Sequence, residues 1–262
     1  MSQMTVLSEE IDKRYGTIKR ARGCFLYTKK GIRLTDLYQE GGKAILGWGG
    51  TSFTVFKNVL NRGLTGSYTT DYVAQVKKAV SVLLASNRSI GMYVNKQVAL
   101  KVALAASAEN TSVWRPWNPE EIDWSSVASV VMEPPFPWCS GLWIVALTPA
   151  PESDAALAMH ISDTFPAPVL AGVARSMYNM VAALQERKET DWFIYDTVVT
   201  KYWQRKGPYL YPTVSRENYG DFVRHCLDCH LVISPDYDTP SIVPFGADVS
   251  VFKLLKNNPF GA

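Results

Sequence analysis

The stretch from Arg205 to Asp248 reads RKGPYLYPTVSRENYGDFVRHCLDCHLVISPDYDTPSIVPFGAD. Gly207-Pro208 cannot continue a helix, so the segment capped at Thr190 or Asp191 is expected to be helical as far as Lys206 and to give way to a strand at Tyr209 to Tyr211. Ser215 offers an N-cap to a helix that puts Tyr219, Phe222, Val223, Cys226 and Leu227 on one face. The apolar runs Leu231 to Ile233 and Ser241 to Phe245 suit strands, and Asp248 caps a last helix carrying Val251, Leu254 and Leu255. The order is helix, strand, helix, strand, strand, helix, which is the grammar of a small α/β lobe.

Working back toward the N-terminus, Pro168 fits an early helical position, followed by an apolar stripe of Val169, Val173, Met177, Met180 or Val181, and Leu184. Val127 to Met132 and Leu142 to Leu147 are buried-strand runs that could pair in one sheet, the first stopped by Pro134, Pro135 and Pro137. Leu147 to Asp154 reads as a loop. Gln97 to Ala108 is rich in good helix formers, and Thr70 or Asp71 caps a helix with Val73, Val76, Val80, Leu83 and Leu84 on one face, ending near Asn87. Cys24 to Tyr27 and Ile32 to Leu37 form a hairpin around Lys29-Lys30-Gly31.

At 262 residues and 47% hydrophobic, the chain is long enough for a full core. Its 27 basic and 24 acidic residues are scattered, so nucleic acid is not implied, and no apolar run approaches the roughly 20 residues that cross a bilayer. The first residues lack an export signal, which makes the cytoplasm the expected location. The four cysteines, at 24, 139, 226 and 229, are therefore expected to be reduced thiols.

The ordered elements resemble the small lobe of fold type I aminotransferases, most closely the class III branch with the glutamate semialdehyde aminomutases. The ending FVRHCLDCHLVISPDYDTPSIVPFGADVSVFKLL and the N-terminal RARGCFLYTKKGIRLTDLYQEGGKAILGWGG carry most of the resemblance. VASVVMEP, from Val127 to Pro134, is similar to a core strand ending in Glu-Pro, and DTFPAPVLAGVARSMYNMVAAL is similar to the helix after the family's lysine segment. The resemblance covers roughly half the chain and lies in the order of the pieces. It implies a discontinuous small lobe of residues 12–45 and 165–262, a reduced large lobe of residues 46–164, and a homodimer.

The same family needs a Schiff-base lysine for pyridoxal phosphate (PLP), an acid for the pyridine nitrogen and a helix start for the phosphate. Here no lysine lies between Val102 and Arg187, the family's acidic strand Asp-Glu and Gly-Ser phosphate turn are absent, and Tyr93 to Ala99 has no glycine at the corresponding helix start. Only Ser107 to Ser126 join that helix to the Glu-Pro strand, a contraction of the large lobe. Beyond Arg224 the chain has no arginine to take the small-lobe role of holding a substrate carboxylate. The expectation is a degenerate relative without PLP, acting in binding or as a scaffold. The alternative is an enzyme, one that takes PLP on a lysine outside 102–187, such as Lys96 or Lys101, or one with other chemistry in a Trp-lined cleft.

Two local signals compete. Cys226-Leu-Asp-Cys-His230 has the spacing of a haem-attachment motif, and His225, Cys226, Cys229 and His230 offer metal-ligating atoms that Cys24 and Cys139 could complete. The opposing reading puts Cys226 on the buried helix face and His230 at the helix terminus, where relatives often have glycine, and no metal or haem is expected. Five of the eight tryptophans lie between Trp114 and Trp143 among prolines, as either a pocket or core filling. The residues proposed to line a ligand pocket are Trp48, Tyr93, Asn95, Trp114, Arg115, Trp138 and Tyr237, with Arg115 as the anion-binding group. Gly47-Trp48-Gly49-Gly50 departs from the dinucleotide fingerprint at Ser52 and reads as a turn. No catalytic residue is assigned, and three histidines leave little material for acid–base chemistry.

Overall fold

A computed structural model describes residues 3–117 and 122–261. The chain opens with α1 (Gln3–Tyr15), β1 (Ile18–Arg22), β2 (Phe25–Thr28) and β3 (Arg33–Asp36). Its middle part runs α2 (Gly50–Leu60), α3 (Tyr72–Leu83), β4 (Ser89–Tyr93), α4 (Lys96–Ala106), β5 (Thr111–Val113), β6 (Ser129–Met132), β7 (Trp143–Leu147), α5 (Pro151–Met159) and α6 (Ala167–Glu186). The last part comprises α7 (Glu189–Phe193), α8 (Asp196–Val199), β8 (Trp203–Lys206), β9 (Tyr209–Pro212), α9 (Tyr219–Asp228), β10 (Leu231–Val232), β11 (Ser241–Ile242) and α10 (Lys253–Asn257). Two units result: Met1–Gly49 with Arg187–Ala262, and Gly50–Glu186. The α/β class agrees with the sequence reading.

The discontinuous unit is built on a four-stranded sheet of order β1-β2-β3-β10. The β2–β3 hairpin is antiparallel, whereas β10 runs parallel to β3 and pairs Leu231 with Thr35 and Val232 with Asp36. Helix α1 lays Leu7 and Ile11 on this sheet, against Leu26, Leu34, Leu227 and Val232. Burying each such side chain is worth about 2 kcal/mol, which explains why α1 docks although its surface is mostly polar. A second, three-stranded sheet has the order β11-β9-β8.

The helix expected up to Lys206 ends at Val199, and Trp203–Lys206 turn back as strand β8 in a hairpin with β9. This break buries the Trp203 ring 5.1 Å from Phe222 and lets Arg205 hold Asp196 and Glu189, contacts that a continuous helix would forgo. Asp248 does cap the last segment, with Oδ1 accepting from the Ser250 amide at 2.8 Å, but the first turn there is a 3₁₀ turn rather than an α-helix.

The contiguous unit holds a mixed sheet of order β4-β7-β6-β5, in which β7 is antiparallel to both neighbours and β5 is parallel to β6. The two apolar runs read as strands thus pair directly. Val102 of α4 and Ala156 of α5 pack with Tyr93, Val131 and Val145 of the sheet. Asn95 is the N-cap of α4, accepting from the Gln97 amide at 2.7 Å. Helix α5 occupies part of the segment expected to be a loop, with Pro151 at its first turn. Val73, placed on the buried stripe of α3 by its spacing, is 45% exposed.

Helix α6 falls within this unit, packed on α2 and α3, instead of in the small lobe beginning at residue 165. Close approach is the reason for its Gly172: a Cβ there would sit 2.6 Å from Cζ of Phe136. Arg88, fully buried, ties the unit together. Its Nη1 donates to the Val127 carbonyl at 2.6 Å and to Thr148 Oγ1 at 3.0 Å, Nη2 donates to the Trp124 carbonyl at 2.7 Å, and Nε donates to Ser86 Oγ at 2.8 Å.

Candidate functional site

Strand β3 ends in a carboxylate where its alternation points inward. Asp36 is 2% exposed, and the donors it meets among the described residues are neutral. The Gln39 amide donates to Oδ1 at 2.8 Å and the Trp48 indole Nε1 donates to Oδ2 at 2.7 Å. Each donor is delivered by unusual backbone. Gln39, Glu40, Gly41 and Gly42 all have positive φ, between 49° and 102°, and for Gln39 and Glu40 this costs about 1 kcal/mol each. Gln39 is held there by its Nε2, which donates to the Val243 carbonyl at 3.2 Å, while its Oε1 is buried without a partner.

Trp48 is held by a two-bond bridge to Gly23, at 3.0 and 2.8 Å. Gly47 has φ +91°, and a Cβ on it would approach Gly23 Cα to 3.2 Å, so the Gly-Trp-Gly-Gly phrase is a turn whose glycines let the indole reach Asp36.

The Asp36 pKa is raised to about 6, chiefly by burial with a smaller push from the nearby Glu40 carboxylate, against the lowering effect of hydrogen bonds from Gln39, Trp48 and the Tyr38 backbone. Asp36 opens onto a cavity of about 550 Å³ between α1 and the first sheet. Glu9 and Asp12 of α1 and Glu40 join Asp36 in lining it, and Ile11, Ile18, Leu26, Val232 and Trp48 supply apolar and aromatic wall. Among the described residues no lysine, arginine or histidine lines it. Lys43 is 3.8 Å from Glu40, outside the lining. Asp36 was not singled out in the sequence. The available signal was a lone carboxylate within the strand segment Ile32 to Leu37, at the alternate position from Leu34.

A second cavity of about 310 Å³ lies between α1 and α9, with Arg216, Arg224 and Tyr237 in its wall. Both arginines are exposed and already engaged, Arg216 with Asp238 and Arg224 with Asp221.

The residues expected to line one pocket have separate tasks. Trp48 lines the Asp36 cavity, and Tyr237 lies under the Arg216 guanidinium at 4.4 Å, in the discontinuous unit. In the other unit Tyr93 is buried and donates its hydroxyl to the His160 carbonyl at 2.8 Å, and Asn95 is consumed as a helix cap. Trp114 is buried, Arg115 is exposed, and Trp138 packs 6.2 Å from Phe56. The Trp-rich run includes residues 118–121, which lie outside the described residues.

The cysteine cluster is packed as the opposing reading has it. Cys226 is fully buried and its thiol is pushed well above its ordinary pKa by burial, while burial also raises Cys229 and takes Cys24 to about 11. His225 Nε2 lies 2.9 Å from the Asn258 carbonyl, and the His230 ring stands edge-on to Tyr15 at 5.6 Å. All four cysteines are free, with only Cys139 exposed. Among the described residues no three His, Cys, Asp or Glu side chains converge as a metal site.

The PLP requirements can be tested on the same geometry. Lys57, Lys77, Lys78, Lys96 and Lys101, the lysines of the contiguous unit, all lie exposed on α2, α3 and α4. Lys96 Nζ sits 5.1 Å over the Trp143 ring. The start of α4 uses the Asn95 side chain on a free amide that would otherwise face an anion.

No protein-family model matches the chain. Uncharacterized proteins of Treponema pallidum (strain Nichols) and Borreliella burgdorferi are similar to it. The first is 29% identical over 295 residues, covering 92% of this chain and 93% of that protein; the second is 24% identical over 249 residues, covering 91% and 89%. Among solved structures, the ornithine aminotransferase of Plasmodium yoelii superposes with a TM-score of 0.63 at 10% identity, covering 98% of this chain and 97% of that one. The acetylornithine aminotransferase of Elizabethkingia anophelis gives 0.64 at 10%, covering 98% and 97%. A serine palmitoyltransferase of S. paucimobilis, solved with a bound PLP–myriocin aldimine, gives 0.65 at 8%, covering 97% and 95%. The fold is therefore that of PLP-dependent fold type I aminotransferases. No membrane-crossing helix is present among the described residues.

Proposed function

We propose that this chain is a degenerate aminotransferase-like protein that does not use PLP and acts by binding. The observation that carries the reading is the position of the lysines: none occurs from Val102 to Arg187, and each earlier lysine of the contiguous unit is exposed on a helix. Desolvation is one way a Schiff-base lysine is made reactive at neutral pH, and these lysines are exposed. The binding site of this reading is the Asp36 cavity. A homodimer in the cytoplasm is the expected setting.

The test is incubation with PLP followed by borohydride reduction and peptide mass mapping. The expected result is scattered, substoichiometric labelling of surface lysines. A stoichiometric adduct on one residue, with Lys96 or Lys101 the sites to inspect, would overturn the reading in favour of a PLP enzyme.

A further inference from the structure

Each feature of the Asp36 cavity excludes a class of occupant. An anion would meet four carboxylates with no basic side chain in the wall among the described residues. A neutral apolar molecule would leave the charge of a buried carboxylate with dipolar donors alone, which is costly in a low-dielectric site. A bare metal ion needs several convergent ligands, and no three suitable side chains converge among the described residues. Moreover, about 550 Å³ lies in the range of organic-ligand pockets and far above what one ion needs.

What remains is a positive charge on an apolar stem. An ammonium group beside Asp36 gains a charge-assisted hydrogen bond, and the Trp48 ring adds a face that attracts cations. Ile11, Ile18, Leu26 and Val232 suit methylenes. Glu9 and Asp12, exposed on α1, place further negative charge in the wall for a second ammonium group.

We propose that the Asp36 cavity binds an aliphatic di- or polyamine, with one ammonium group on Asp36 and Glu40 and another toward Glu9 and Asp12. This rests on the reading of the chain as a binding protein and names the ligand class of that same site. Binding should weaken as the pH falls through about 6, where Asp36 takes up a proton. The groups around Asp36 are Glu40 with Lys43 3.8 Å from it, the Cys24 thiol just before β2, Tyr38, and Glu9 and Asp12 in the same cavity wall, while β10 contributes only Leu231 and Val232.

The experiment is titration calorimetry of the full chain with putrescine and spermidine at low salt, pH 7.5 and pH 5. 1,4-Butanediol, succinate and magnesium chloride are the comparison probes. Both amines are expected to bind at pH 7.5 and the comparison probes not to. Asp36→Asn is expected to weaken binding at least tenfold, and the exposed double variant Glu9→Gln with Asp12→Asn, which disturbs no buried contact, several-fold. Absence of amine binding overturns the inference, as does amine binding that neither variant alters or that magnesium displaces at equal concentration. Failure here leaves the PLP result untouched, and a stoichiometric lysine adduct would sink the cofactor-free reading without affecting the calorimetry.

Discussion

In the contiguous unit the buried ion is Arg88, and in the discontinuous unit it is Asp36. Among the described residues neither has a salt-bridge partner. Arg88 donates from all three guanidinium nitrogens to carbonyl and hydroxyl oxygens of the loop at residues 124–128, Thr148 and Ser86, so its fork is filled by the fold. Asp36 accepts from the Gln39 amide, the Trp48 indole and the Tyr38 backbone and faces a cavity. A carboxylate can accept about four hydrogen bonds. The comparison separates a charge that the protein uses on itself from one that it leaves available.

The contrast breaks most sharply at Arg88. Arg88→Met strips hydrogen bonds from several buried carbonyls at once and is expected to cost about 3–5 kcal/mol in urea unfolding. Arg88→Lys should recover only part, because one ammonium group cannot span acceptors arranged for a fork. A loss below about 1 kcal/mol for the methionine variant would show that the loop does not depend on Arg88.

Asp36 gives the next largest effect, and its sign is opposite to that of a salt-bridged aspartate. Its pKa rises from 3.8 to about 6 on folding, so the folded state holds the proton more tightly. The stability from this group is fully present below about pH 4 and is lost as the pH rises through 6. Relative to Asp36→Asn, the wild type is expected to lose about 3 kcal/mol between pH 4 and pH 7.5. A flat difference across that range would show that the carboxylate is not desolvated.

Gly172→Ala probes packing rather than charge. With Phe136 Cζ 2.6 Å from the new methyl, about 1–3 kcal/mol is expected to be lost, and Phe136→Leu in the same chain should restore part of it. The smallest effect belongs to His230, whose φ of 62° favours glycine. His230→Gly relieves that strain and forfeits the ring contact with Tyr15, leaving a net change within about 1 kcal/mol by thermal unfolding.

The sequence was legible where a single periodicity decided the outcome. The stripe Tyr219, Phe222, Cys226 and Leu227 is buried as its spacing requires, and so are Val169, Val173, Met177 and Met180. It was illegible where short elements take their stability from distant partners. Strand β1, IKRAR, shows only Ala21 as partly buried, and β8, WQRK, is too short and polar to outweigh the helical pattern before it. Asp36 stood in plain view in the strand segment Ile32 to Leu37, but its significance depends on α1 and on Trp48. Tyr93 and Asn95 carry local duties, a carbonyl bond and a helix cap, that composition cannot reveal.

The parallel pairing of β10 with β3 has a consequence for the order of assembly. Residues 50–186 form a contiguous unit that can close while the chain is still being made, but the first sheet cannot acquire its fourth strand until Leu231 and Val232 emerge from the ribosome. Apart from Val232, the cavity wall is encoded within the first 48 residues. Its side chains are thus synthesised first and enclosed last. A nascent or C-terminally clipped chain would carry every carboxylate of the site without the strand that completes its wall, making an intact C-terminal segment a condition of binding.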